Sequence, residues 1–141
     1  MKGDPIPDQH PIARLCNPTH TEDGFILASV FMLRASEENL SVNWLEFLNC
    51  TSRGAKIAEL RNVYSTKFKT IGARAQIAVM NVGEVREKVV KESPDRRNLN
   101  VLHNPEPNDP SHSGIYNLKH DDEMIAELIR ESILEGYSAR E

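Results

Sequence analysis

Histidine is the residue type in this chain whose placement points most directly to chemistry. None of the five histidines falls on the apolar face of a predicted helix, and they form two groups: His10 and His20, then His103, His112 and His120. An imidazole titrates near neutral pH and can both accept and donate a proton. If the two irregular regions that carry these histidines meet in the folded chain, they form a shared cleft.

His103 and His112 flank a proline-rich loop, residues 104–110, and could face each other at its base. A neutral imidazole can take a proton from water or a ribose hydroxyl while a protonated one donates to the leaving group, which cleaves a phosphodiester without a metal. Asp109 and Ser113 belong to the same constellation, and Ser113 would supply a neutral donor. These residues predict a small phosphodiester hydrolase or transferase. The alternative is a pair of exposed loop histidines that bind carbonyl groups.

A zinc site is a second interpretation of these residues. Cys16 and His20, four positions apart, could supply two tetrahedral ligands, with His103 and His112 completing the shell. Pro18 lies inside this short-spaced pair, and no paired-cysteine spacing accompanies it. We therefore favour no metal site and predict no cofactor.

The charge of the chain is strongly segregated. Residues 1–50 carry three basic and seven acidic groups, residues 51–97 carry eleven and five, and residues 98–141 carry three and nine. The middle third is therefore the basic one, although the whole chain has a net charge of -4. Such an asymmetry indicates that the basic segment binds acidic or phosphate-bearing partners. The alternative is that the basic middle folds against the acidic ends, so that the surface carries both charges mixed.

Aromatic side chains are interleaved with cations in this basic segment. A strip of ammonium, guanidinium, hydroxyl and ring groups would follow a phosphate backbone without reading bases. The residues that would form it are Arg61, Tyr64, Lys67, Phe68, Lys69 and Arg74. A sequence pI near 5.7 counts against a dedicated nucleic-acid domain. An acidic protein surface is therefore a further candidate partner.

The elements that must position these residues follow from hydrophobic periodicity and helix caps. The pattern predicts strands over 25–33, 40–47, 73–80, 98–103 and 113–118, the first two pairing as a hairpin. It predicts helices over 54–64 (capped by Thr51 or Ser52), 82–93 (capped by Asn81) and 121–135 (ended by Gly136).

This order predicts an α+β fold with a mostly antiparallel sheet of about four to five strands and three helices packed mainly on one face. Residues 1–24, which contain four prolines and no period, are expected to be irregular, and residues 25–141 to form a single domain.

We expect a soluble cytosolic binding or accessory module whose basic segment, residues 51–97, engages a nucleic acid, a nucleotide or an acidic protein. No apolar run predicts a signal peptide or a membrane span, and the two cysteines, in unlike contexts, are expected to be reduced thiols. Self-association is compatible with the unprotected edge strands of a small open sheet. The histidine-dependent enzyme with His103 and His112 is the alternative.

Overall fold

A computed structural model describes residues 2–18, 21–22 and 25–140. Numbered in chain order, the strands are β1 (Pro11–Cys16), β2 (Thr21–Glu22), β3 (Phe25–Ile26), β4 (Leu40–Trp44), β5 (Gln76–Asn81), β6 (Asn100–His103), β7 (His112–Tyr116) and β8 (Ile133–Ser138). Six of them form one antiparallel sheet in the order β6-β7-β4-β1-β5-β8, and β2 pairs with β3 separately. The predicted α+β class is confirmed, with six strands in the sheet instead of four to five.

Three helices complete the fold: α1 (Arg53–Lys67), α2 (Val82–Glu92) and α3 (Glu123–Arg130). Each begins where a side-chain oxygen accepts from an otherwise unpaired amide of the first turn. Ser52 caps α1, Asn81 caps α2 and Asp122 caps α3. The predicted caps at Ser52 and Asn81 are therefore confirmed, and none of the described helices is long and apolar enough to cross a membrane.

The helices cover both faces of the sheet. Successive residues of a strand point to opposite faces, so β5 sends Ala78 and Met80 toward one core and Ile77 and Val79 toward the other. The first core includes the apolar stripes of α2 and α3, and the second includes that of α1. The prediction placed the three helices mainly on one face; in the structure α2 and α3 share one face and α1 lies alone on the opposite one.

The N-terminal segment is not irregular throughout, which corrects the prediction for residues 1–24. Residues 11–16 form β1, in the interior of the sheet between β4 and β5. Pro11 is tolerated because it is the first residue of the strand. Arg14 interrupts the apolar pattern of this strand, and its guanidinium instead donates to the backbone oxygens of Val30 and Ser41.

Residues 25–33 do not form the predicted strand, and the predicted hairpin with 40–47 is wrong. After β3 the chain forms a 3-10 turn at Ala28–Phe31, which packs on α3, while β4 pairs with β1 and β7. A continuously apolar run is compatible with any buried conformation, so its periodicity could not separate a strand from a turn.

The last helix is shorter than predicted. It ends at Arg130, and the hydroxyl of Ser132 donates to the backbone oxygen of Leu128 as the chain turns. Residues 133–138 then return as β8 along β5, so Gly136 lies in a strand instead of ending the helix. This strand lies at the edge of the sheet and is largely exposed, which is why its apolar pattern is weak.

Candidate functional site

The two histidines proposed as an acid and base pair point to opposite faces of the sheet. His103 is paired with Ser113 across β6 and β7, and His112 is the neighbour of Ser113, so its side chain projects the other way. Nε2 of His103 donates to the oxygen of Pro110 (2.8 Å), and Nδ1 of His112 donates to the oxygen of Asn104 (2.8 Å). Both imidazoles bind backbone carbonyls, as in the alternative interpretation of structural histidines. They differ from that interpretation in being buried instead of exposed.

The N-terminal segment does pack beside the region that contains His103. The histidine of this segment that takes part is His10, and His112 is not in the cluster. Residues 3–6 run along β6, with the amide of His103 donating to the oxygen of Asp4 (2.8 Å). The indole of Trp44 donates to Nδ1 of His10 (2.9 Å), and its ring lies 5.2 Å from that of His103. Phe47 packs on His103 with ring centroids 4.7 Å apart. This cluster ties the N-terminus to the sheet.

The proposed zinc ligands do not converge. Cys16 is on β1 and His103 is on β6, three strand spacings away, which is about 14 Å at the usual separation of paired strands. His112 is on β7, and His20 lies outside the described residues. Within the described ranges no group of three or more histidine, cysteine or carboxylate side chains could hold a metal ion.

The two thiols differ sharply in accessibility, which predicts selective labelling. Burial raises the pKa of Cys16 to about 11, whereas Cys50 is partly exposed. Because the thiolate is the reactive form, iodoacetamide at mildly alkaline pH should modify Cys50 and leave Cys16 intact in the native chain, with both modified after denaturation. Mass spectrometry of the peptides measures this, and rapid native labelling of Cys16 would contradict its burial in β1.

Lys67, a predicted phosphate contact, is bound to carboxylates within the chain. Its ammonium donates to Glu106 (2.8 Å) and Asp109 (2.9 Å). Burial opposes the charge, but the hydrogen bonds that the ammonium donates to these two carboxylates, with their negative charge, outweigh burial and raise the pKa of Lys67. The same contact with Lys67 lowers the pKa of Glu106. Lys67 therefore holds the loop before β7 against the end of α1.

Tyr64 and Asp109 belong to the same internal network. Tyr64 is buried, and its hydroxyl donates to the side-chain oxygen of Asn43 (2.9 Å). The amide of Asn43 donates in turn to Asp109 (2.8 Å) and to the hydroxyl of Ser111 (2.9 Å). Tyr64 is consequently not a stacking ring, and the fully buried Asp109 is not open to a substrate.

Three of the four remaining predicted contacts line one surface groove of about 520 Å³ between the end of α1 and the C-terminal residues. Arg61, Phe68 and Lys69 line it, together with Arg140, which the sequence did not single out. Its other lining residues are uncharged: Ala58, Asn62, Ser65, Thr70, Ile71 and Ala139. We call this the cationic groove; none of the described residues that line it is a carboxylate, and Arg74 is not among them. Glu141, which follows Arg140, lies outside the described residues.

Most of the other cations in the basic segment are neutralised by carboxylates within the chain. Six of the eleven form ion pairs: Arg53, Lys56, Lys67, Arg86, Lys88 and Arg97. Over residues 2–18, 21–22 and 25–140, the other five have no ion-pair partner: Arg61, Lys69, Arg74, Lys91 and Arg96. The acidic termini thus neutralise part of the basic middle.

A broader depression of about 940 Å³ runs along α2 but mixes charges of both signs. Its cations Arg86, Lys91 and Arg96 alternate with the carboxylates Asp8, Glu84 and Glu87. Such a surface has no net potential to attract a charged ligand. The smaller cationic groove is therefore the better candidate site.

Geometry within the cationic groove presents cations and a ring together. Nε of Arg61 donates to the oxygen of Ser138 (3.0 Å), which holds the guanidinium at the groove wall. The ring of Phe68 is 44% exposed, and Lys69 is exposed beside it. Comparison of the chain with models of known protein families, with curated proteins and with solved structures finds no match.

Proposed function

We propose that this protein is a binding module whose cationic groove engages a phosphate-bearing partner, with single-stranded nucleic acid as the chemistry that suits it best. The observation that carries the proposal is the grouping of Arg61, Lys69 and Arg140 in one groove whose lining, over the residues that the structure describes, includes no carboxylate. Three cations that line one groove attract an anion with several negative groups, as a polyphosphate backbone has.

Phe68 favours a nucleic acid over an acidic peptide. Its ring is partly exposed at the groove, and every base offers a face that stacks on an aromatic ring, worth about 1–3 kcal/mol per base. A glutamate-rich peptide would pair with the cations but gain little from this ring. The hydroxyl and amide side chains of Ser65, Thr70 and Asn62 would contact the backbone without reading sequence.

Replacing Arg61 and Lys69 together by alanine is expected to lower the affinity for a short labelled oligothymidylate by about 10- to 100-fold, since hydrogen bonds to charged groups are each worth about 1.5–3 kcal/mol before solvent screening. The slope of log affinity against log salt should fall in magnitude by about 1.4, which corresponds to two single-strand phosphate contacts. Fluorescence anisotropy across a salt series measures both.

The matched control removes the same charge elsewhere. Lys91 and Arg96 are also without ion-pair partners in the described chain, and both line the depression along α2 instead of the groove. The Lys91→Ala, Arg96→Ala variant should bind like the native chain. Equal losses in the two double variants would mean that only net charge matters and would refute the groove; tighter binding of polyglutamate than of oligothymidylate would identify an acidic protein partner instead.

The histidine-dependent enzyme has less support. Its acid and base would have to reach one scissile bond, whereas His103 and His112 project from opposite faces of the sheet and each already binds a backbone carbonyl. Asp109 and Ser113, its other candidate residues, are fully buried. The binding function is therefore the better supported of the two.

A further inference from the structure

The two edge strands of the six-stranded sheet, β6 and β8, differ in the backbone hydrogen bonds along their outer sides. Along β6, residues 3–6 add a further run of backbone hydrogen bonds, such as Ile6 N–H to the oxygen of Val101 (2.9 Å). Along the outer edge of β8 the described residues supply no backbone partner. An unpaired edge of this kind is a template for another strand.

The outward-facing groups of β8 can be identified from its pairing with β5. Ala139 N–H donates to the oxygen of Ala75 (2.9 Å), so residues 135, 137 and 139 direct their backbone groups toward β5. Gly136 and Ser138 must then direct theirs outward. The bond from Arg61 to the oxygen of Ser138 agrees with this, and that oxygen has a second lone pair for a strand partner.

We propose that β8 pairs antiparallel with β8 of a second copy of this chain, with Tyr137 on the two-fold axis. In this register Gly136 of each copy faces Ser138 of the other, and each such pair exchanges both of its N–H···O bonds. The set of outward groups is therefore complementary to itself. Gly136 has no side chain and is exposed, so at this residue no side chain stands between the two strands.

Neighbouring registers are less favourable for reasons visible in β8. A pairing centred on Glu135 would place two carboxylates directly opposite each other, which is destabilising. A pairing centred on Gly136 would set Leu134 of each copy opposite Ser138 of the other. Leu134 lies at the irregularity where the pairing of β8 with Met80 and Val79 shifts. The register centred on Tyr137 instead sets Glu135 opposite Ala139 and brings two tyrosines together, a favourable aromatic pair.

The resulting dimer is expected to be weak, because pairing along one short strand buries much less than a standard interface of about 1,600 Å². Sedimentation equilibrium of the full chain should show a monomer at low micromolar concentration and a growing dimer fraction toward millimolar. Gly136→Pro removes an outward N–H and should leave a monomer with unchanged circular dichroism, since the Gly136 amide does not serve the pairing with β5.

Cysteine crosslinking tests the register. In a Cys50→Ser background, Tyr137→Cys should form a disulfide-linked dimer on mild oxidation, because residues opposite each other in such a pair have Cα atoms about 4.5 Å apart. Leu134→Cys is the control: that side chain is 58% exposed and would crosslink more readily by random collision, yet it lies well away from its equivalent in this register.

Two results would overturn the proposal. One is a native chain that sediments as a monomer at every concentration. The other is crosslinking at residue 134 as efficient as at residue 137. If Tyr137→Cys fails to fold by circular dichroism, the comparison of native chain and Gly136→Pro by sedimentation decides. None of these measurements depends on nucleic-acid binding.

Discussion

Asp109→Ala is expected to lower the free energy of unfolding by about 3 kcal/mol, the low end of what breaking a buried ion pair costs. Asp109 is 0% exposed and accepts hydrogen bonds from both Lys67 and Asn43. Removing this carboxylate leaves the ammonium of Lys67 in a site from which water is largely excluded. The decrease in the free energy of unfolding stays at the low end because Glu106 remains as a partner of that ammonium. Urea denaturation measures it.

Glu106→Ala is the matched control for this prediction. It removes a carboxylate from the same ammonium, but the Glu106 side chain is 40% exposed, and exposed ion pairs are worth about 0–1 kcal/mol. Similar losses in the two variants would show that Asp109 has no special role. Lys67→Met with Asp109→Leu removes both charges and should recover part of the loss, because the unpaired buried charge is then absent.

Phe31→Ala is expected to cost about 3–5 kcal/mol, the range for emptying a buried phenylalanine site. Phe31 is 1% exposed, and it closes the 3-10 turn that packs on α3. The cavity would lie in the core that this turn shares with α2, α3 and one face of the sheet. The same substitution at Phe25, six residues earlier and 74% exposed, is the control and should change stability by less than about 0.5 kcal/mol.

Thermal and urea unfolding of these two phenylalanine variants also tests the corrected local structure. In the strand predicted from the sequence, residues 25 and 31 have the same parity and would lie on one face. Equal losses at both positions would favour that strand. A large loss at Phe31 alone would support the turn.

Local signals determined much of the secondary structure. Asn81 with Glu84 placed the start of α2 correctly, because a helix cap is satisfied within one turn of the chain. The alternation in Leu40–Trp44 and Gln76–Asn81 likewise predicted β4 and β5. The sequence did not predict β1 or β8, whose strand pairing involves residues far away in the chain. β1 pairs with β4 on one side and β5 on the other, and β8 pairs with β5.

Only part of the candidate site is built from residues close together in the sequence. Arg61, Phe68 and Lys69 line one groove because they belong to the second half of α1 and the residues that follow it. Lys67 lies within the same short stretch but points to Glu106 and Asp109, some forty positions away. Arg140 could not be identified, since a single cation in an acidic segment has no signal until β8 brings it beside α1.

By itself the sequence determined the fold class, the Asn81 cap of α2 and the location of the basic segment, all of which depend on residues within a few positions of one another. Only the tertiary structure decided which cations remain unpaired, that His103 and His112 diverge, and which edge of the sheet is left open. Those properties depend on strand order and register, which are set by contacts between residues far apart in the chain. No local pattern records such contacts.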